Sequence, residues 1–150
     1  MLRLLAAIGL VLIYFTNSVN AEEVKLDDEL TIYYEQSGDG DITIIFIPGW
    51  MMSTDVFVHQ LDHFKGSTKF RAIAYDPRGQ GRSSKPMEGH TYQQHGRDLA
   101  AFMEKLKLEK VILAGWSYGV TEQLGAGDSR SHRYRPGDYF ERGAGACAGH

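Results

Sequence analysis

Val111-Ile112-Leu113-Ala114-Gly115-Trp116-Ser117-Tyr118-Gly119 joins an apolar run directly to a small-residue turn. Four apolar residues in succession read as a strand buried on both faces, as parallel strands are. The next five fit the pattern G-x-S-x-G. A sharp strand-to-helix turn needs glycine two residues either side of its centre and holds the central side chain strained and exposed. Ser117 would then be a nucleophile. The backbone N–H of Tyr118 would face an oxyanion forming on a substrate carbonyl, and the start of the next helix would add partial positive charge. Alone the pentapeptide is a weak pattern, since a plain Gly/Ser turn also fits it. Its place straight after a buried strand supplies the context the chemistry requires.

Working towards the N-terminus, the same strand–turn–helix rhythm repeats. Ile42-Thr43-Ile44-Ile45-Phe46-Ile47 is a second nearly continuous apolar run, stopped by Pro48-Gly49. Ser53 or Thr54 is placed to cap a helix carrying Phe57, Leu61 and Phe64. Arg71 to Tyr75 is the next strand, stopped at Asp76-Pro77, and Thr91 with Gln94 forms a capping box. Leu99, Phe102, Met103 and Leu106 then make an apolar helical stripe. Glu104, Lys105, Lys107 and Glu109 lie off it and read as a solvated face. Glu23 to Leu26 and Leu30 to Glu35 suit a hairpin, and residues 37–41 are a loop by composition. Strands alternating with helices imply an α/β protein with a mostly parallel sheet covered on both sides. Ligands of such sheets gather at the carboxyl ends of the strands. Pro48-Gly49-Trp50, Asp76 to Ser83 and Gly115 to Gly119 all sit there.

Pro48-Gly49-Trp50 stands where a second oxyanion donor is expected, with the Trp50 N–H as candidate. Pro48-Gly49 also suits a plain strand end, the less favoured of the two readings. The Trp50 and Trp116 side chains fit either the wall of an acyl pocket or the core. Asp76-Pro77-Arg78-Gly79-Gln80-Gly81-Arg82-Ser83-Ser84 contains G-x-G but lacks the third glycine and the immediate helix of a phosphate-binding loop. It reads as a structural turn in which Asp76 and Arg78 bond loop backbone, with no catalytic residue.

With these elements in order, residues 22–120 resemble the N-terminal half of an α/β-hydrolase-fold protein. The motifs are the apolar strand into Pro-Gly-Trp, then Tyr75-Asp-Pro-Arg-Gly-Gln-Gly-Arg-Ser-Ser84, then Gly-Trp-Ser-Tyr-Gly. Together they are similar to the esterase, lactonase and cofactor-free haloperoxidase-like branch. The resemblance implies Ser117 as nucleophile, oxyanion N–H groups from Trp50 and Tyr118, a small ester-like substrate, and no metal or organic cofactor. Pro48 departs from the histidine more often found before the glycine, a change that a backbone role survives. Serine at 117 speaks against the haloalkane dehalogenase and epoxide hydrolase branches, which use aspartate there.

The two ends read differently. Arg3 is the only charge before Glu22, Leu4 to Phe15 is apolar, and Val19-Asn20-Ala21 is a small-x-small site. That is the layout of a secretory signal over residues 1–21, cleaved after Ala21, with export to the periplasm or beyond. The apolar core is shorter than the roughly 20 residues that span a bilayer, so no membrane association is expected after cleavage. Beyond Val120 the only Val, Ile, Leu or Met is Leu124, and six of the 17 glycines fall there. Residues 121–150 therefore read as a disordered, non-family tail.

A tail of that kind leaves the triad short. The fold's acid and histidine follow the serine in chain order. Asp128 or Asp138 with His150 satisfies that order, but a flexible segment does not hold groups to the roughly 0.5 Å that catalysis needs. His132 and His150 read as surface residues. His59, His63, His90 and His95 precede Ser117 and read as solvated helix or loop faces. Without its usual partner, the strand ending at Ala114 would be an apolar edge exposing Val111, Ile112 and Leu113. A truncated or frame-shifted product of a longer hydrolase gene is the expectation.

Composition excludes other classes. The chain has 150 residues, 43% of them hydrophobic, enough for one domain and not for two. A formal net charge of −3 carries no basic footprint for nucleic acid. One cysteine, Cys147, makes no internal disulfide. Three functions stay open on sequence: a serine hydrolase, an inactive partner-binding remnant, and an enzyme completed by dimerisation. Oligomeric state is not readable.

Overall fold

The structure is a computed structural model and describes residues 18–122. Most of the expected leader and tail, including Asp128, His132, Asp138, Cys147 and His150, lie outside the described residues. Five strands form one mixed sheet: β1 (Asn20–Lys25), β2 (Thr31–Ser37), β3 (Ile42–Ile47), β4 (Phe70–Tyr75) and β5 (Val111–Gly115). Their order is β1-β2-β4-β3-β5. β1 and β2 form the hairpin read from their alternation, and β2 pairs antiparallel with β4. β3 pairs in parallel with both β4 and β5. β1 begins at Asn20, two residues before the expected cleavage point, with Ala21 opposite Glu35. Cleavage after Ala21 would shorten this strand to Glu22–Lys25.

Helices cover both faces. Ser53 caps a 3-10 turn, Thr54–Phe57, which runs into α1 (Val58–His63). α2 (Tyr92–Lys105) starts at Thr91, whose hydroxyl accepts the Gln94 N–H; the reciprocal half of the capping box is replaced, since the Gln94 side chain bonds Arg97 and Asp98. The stripe on α2 lays Leu99, Phe102 and Met103 against Ile45, Ile47, Ile73 and Tyr75. On the other face Phe57 and Leu61 cover Ala72 and Ala74, with Phe46 packed alongside. β3 therefore contributes to both cores, which is why its sequence lacks a polar face. Phe102 lies at the centre of the larger cluster, edge-on to Tyr34 and stacked on Tyr75. Cutting such a side chain back to alanine costs about 3–5 kcal/mol.

The two crossovers run in opposite senses, one from β3 to β4 and the other from β4 back past β3 to β5. A right-handed connection puts their helices on opposite faces. β3 feeds α1 on one face. The helical residues 118–122 after β5 meet α2 on the other, through the Tyr118–Tyr92 and Glu122–His95 contacts. Neighbouring parallel strands whose following segments diverge open a crevice at their carboxyl ends, the usual ligand position in such sheets. β3 and β5 are those strands, with Ile47 opposite Gly115.

One expectation is corrected here. Among the described residues β5 is an edge strand, but Val111 and Leu113 are buried beneath the α2 side of the sheet. Their side chains belong to the main core. Of the three, Ile112 alone is part-exposed, so the edge is open in its backbone more than in its side chains.

Candidate active site

Ser117 sits at the crevice. The Trp116 N–H donates to the Ile47 carbonyl at 3.0 Å, the last link between β5 and β3. The chain then turns at Ser117, whose φ is 55°, in the left-handed region. That conformation costs a residue with a Cβ about 1–2 kcal/mol. N–H groups of Gly119 and Val120 close the turn on the Trp116 and Ser117 carbonyls at 3.0 and 3.1 Å. Close approach dictates both flanking glycines. A Cβ at Gly115 would meet the Gly119 carbonyl carbon at 2.6 Å, and one at Gly119 would meet the Ile47 carbonyl oxygen at 2.4 Å. The outcome is a serine that is exposed while the backbone beneath it is packed.

The loop after β3 lies against this turn. A Cβ on Gly49 would stand 3.5 Å from Ser117 Cβ and 3.4 Å from the Trp116 carbonyl oxygen. Trp50 follows, its ring edge-on to Tyr118 with centroids 5.2 Å apart. The three candidate residues, Ser117, Trp50 and Tyr118, are thus gathered in one place. Met51 is also left-handed, at φ 57°. Both strained non-glycine residues near the crevice therefore flank the same small space. The indoles are not core: Trp50 and Trp116 are 56% and 53% exposed among the described residues.

Behind Tyr118 lies a polar group that the sequence reading did not identify. Glu122, fully buried, accepts the Tyr75 hydroxyl at 2.7 Å, and its other oxygen lies 2.8 Å from His95 Nδ1. Burial and the Glu122 carboxylate push the Tyr75 hydroxyl well above its usual range, so it stays a donor. The Tyr118 hydroxyl is raised too, chiefly by burial and then by Glu122 and Tyr92. His95 was expected on a solvated face; it is 2% exposed, packed edge-on to Tyr118. The signal was present: His95 precedes Leu99 by four and Phe102 by seven, and so falls on the apolar stripe of α2. Glu122 follows Ser117 by five, on a helix that must itself pack inwards.

The loop after β4 is structural, as expected, though by a different use of Arg78. Asp76, fully buried, accepts the Thr54 N–H at 2.6 Å and the Arg82 N–H at 2.7 Å. It thereby ties the start of the 3-10 turn to its own loop. Burial raises its carboxyl above the ordinary 3.8, and the two N–H bonds oppose that shift. Arg78 does not bond loop backbone. It forks onto the Asp98 carboxylate of α2 at 2.7 and 3.0 Å, both side chains buried. A guanidinium that leaves water needs a planar two-oxygen acceptor, which loop carbonyls do not offer.

Proton acceptors for Ser117 are not found among the described histidines. His59 and His63 are exposed on α1. His90 Nε2 lies 2.8 Å from the Pro86 carbonyl, and His95 is held by Glu122. Among the described residues no hydrogen bond joins a histidine to Ser117, and no group of three His, Cys, Asp or Glu side chains could hold a metal ion. No helix among them is long and apolar enough to cross a membrane.

A strained serine after a parallel strand, backed by glycine contacts and faced by the loop of the neighbouring strand, has the geometry of the strand–turn–helix elbow of α/β proteins. A family model described as the alpha/beta hydrolase fold matches residues 42–121, and the chain belongs to that family. It is 36% identical over 100 residues to a non-heme chloroperoxidase of Streptomyces lividans, covering 66% of this chain and 36% of that protein. It is 30% identical over 126 residues to the human serine hydrolase BPHL, covering 81% of this chain and 43% of the relative. Among solved structures, a bromoperoxidase from Bacillus anthracis superposes with a TM-score of 0.62 at 34% identity, over 69% of this chain and 37% of that one. The chain thus spans roughly two fifths of the proteins it matches.

Proposed function

We propose that Ser117 is the nucleophile of a serine hydrolase that cleaves a carboxylic ester or lactone through an acyl-enzyme. The observation that carries this reading is the exposed serine at φ 55°, with the loop after β3 packed against its Cβ. Strain is retained at a side chain where glycine would remove it, and that is expected where the hydroxyl is needed. In the reaction Ser117 Oγ bonds the carbonyl carbon and gives up its proton to a base. The carbonyl oxygen takes the negative charge and accepts the Trp50 and Tyr118 N–H groups. Collapse of this intermediate breaks the bond to the alcohol oxygen, which leaves with a proton, and water then frees the acid from Ser117. The family resemblance assigns base and acid to a histidine and a carboxylate after Ser117 in chain order. Without such a base a serine hydroxyl is a poor nucleophile at neutral pH.

Hydrolysis of p-nitrophenyl butyrate by the purified chain, beside Ser117→Ala, tests the proposal. The expected result is a rate in the parent that falls at least about a hundredfold in the variant, the scale of losing a catalytic nucleophile. Equal rates in the two proteins would overturn it and favour a non-catalytic role.

A further inference from the structure

Around Ser117 the surface is aromatic. Among the described residues seven large hydrophobic side chains are exposed, and five of them, Trp50, Met51, Tyr92, Trp116 and Val120, lie in segments that meet at the turn. Exposed apolar residues scattered singly need no explanation, whereas a cluster of this kind marks a contact surface. Three of the rings are in direct register. Tyr118 lies between Trp50, edge-on at 5.2 Å and 65°, and Tyr92, tilted at 5.1 Å and 32°. His95 closes the buried side of Tyr118 at 5.7 Å and 81°. The row runs from the loop that carries one candidate oxyanion donor, across the residue that carries the other, to the first turn of α2.

We propose that this row is an aryl subsite, so that the substrates of Ser117 carry a flat aromatic ring on the acyl side of the ester or lactone. The inference rests on Ser117 marking the site, and it adds the substrate class. A carbonyl held by the Trp50 and Tyr118 N–H groups brings its acyl substituent beside the rings of the same two residues. Any apolar group would displace water there. Only an aromatic one also gains from edge-to-face contact, because ring edges are positive and ring faces negative. Tyr118 is held in place by His95 and Tyr92, so the wall is preorganised and its ordering cost is not charged to binding.

The chain's two tryptophans are Trp50 and Trp116. Both lie beside Ser117, so their fluorescence reports on this site alone. Benzamide and cyclohexanecarboxamide are neutral probes of similar size, one flat and one not, each with a carbonyl for the oxyanion donors. Titration of the whole chain is expected to give benzamide about three- to tenfold tighter binding, the range of one or two aromatic contacts. Trp50→Ala and Tyr92→Ala should each bring that ratio towards one, with Trp116 still reporting in the first. Trp50→Phe should keep it.

Equal affinity for the two amides, no binding of either, or a ratio unmoved by Trp50→Ala would each overturn the subsite. Ser117→Ala separates the two readings. An aryl preference kept in that variant, together with ester hydrolysis lost, supports both. An aryl preference in a chain whose hydrolysis does not depend on Ser117 keeps the subsite and overturns the hydrolase.

Discussion

The turns after β4 and β5 stand at the same end of the sheet and both need left-handed backbone, yet they meet the need differently. Between Asp76 and Ser84 the positive φ values fall on Gly79 and Gly81, at 77° and 49°. Glycine adopts these without strain, and at Gly81 a Cβ would also strike the Asp76 carboxylate. Every polar group of Asp76 is occupied: Thr54 and Arg82 bond its carboxylate, and the Ser83 hydroxyl bonds its carbonyl at 2.5 Å. Between Gly115 and Gly119 the positive φ falls on Ser117 instead, and the serine is exposed. A turn that exists to hold the chain together uses glycine where it bends. The turn at Ser117 carries the strain and keeps an exposed side chain.

Substitutions in the two turns would break or sharpen this contrast. The largest effect belongs to Asp76→Ala, which leaves the buried Thr54 N–H and the part-buried Arg82 N–H without their acceptor. A loss of about 2–5 kcal/mol is expected from the urea unfolding midpoint. A loss below about 1 kcal/mol would mean that the loop is not the anchor described here. The same residue has a pH signature. Its carboxyl is raised in the folded chain, so the folded state holds this proton more tightly than the unfolded state. The proton-linked part of the Asp76 contribution is therefore full below the ordinary value of 3.8 and is lost as pH rises through the raised folded value, while the bonds to Thr54 and Arg82 remain. Asp76→Asn lacks the titration. Across that rise the parent should lose stability relative to the variant, and above it the gap should be constant.

Gly119→Ala comes next. Its Cβ would lie 2.4 Å from the Ile47 carbonyl oxygen, a backbone atom that cannot swing away. Overpacking of this kind costs about 1–3 kcal/mol, read as a fall in Tm. An unchanged Tm would show that the helix after Ser117 can move off β3.

Ser117→Gly has the smallest effect and the opposite sign. Releasing the left-handed strain should stabilise the chain by about 1 kcal/mol or less, after the added chain entropy of glycine is subtracted. Gly79→Ala, in the structural turn, should instead destabilise, because φ is 77° there and a Cβ would meet His90 at 2.6 Å. Destabilisation by both changes would remove the argument that Ser117 is strained for a purpose.

Much of this was legible in the residues. Ile42 to Ile47 and Val111 to Ala114 read as buried strands because a strand packed on both faces has no polar face to show. Thr91 with Gln94, and the stripe from Leu99 to Met103, placed α2 through local hydrogen bonding and helical period. The pentapeptide at Ser117 was legible for the same reason, since the steric need for glycine is set by immediate neighbours. His95 and Glu122 were missed because their chemistry is a pairing across 27 residues between two helices. Arg78 was misread because its partner, Asp98, stands 20 residues on. Polar residues taken one at a time default to a solvated face, and only a contact across the fold overrides that.

The sequence by itself determined the order of strands and helices, the turn at Ser117, and membership of the alpha/beta hydrolase fold family. Each depends on local period, local sterics or a contiguous motif. Tertiary structure alone decided that β3 lies between β4 and β5, that the Gly49 loop meets Ser117, and that Trp50, Tyr118 and Tyr92 line one wall. It also decided that Val111 and Leu113 are buried although their strand is at an edge. These follow from which faces are left to pack once the crossovers send their helices to opposite sides of the sheet, and no local pattern encodes that choice.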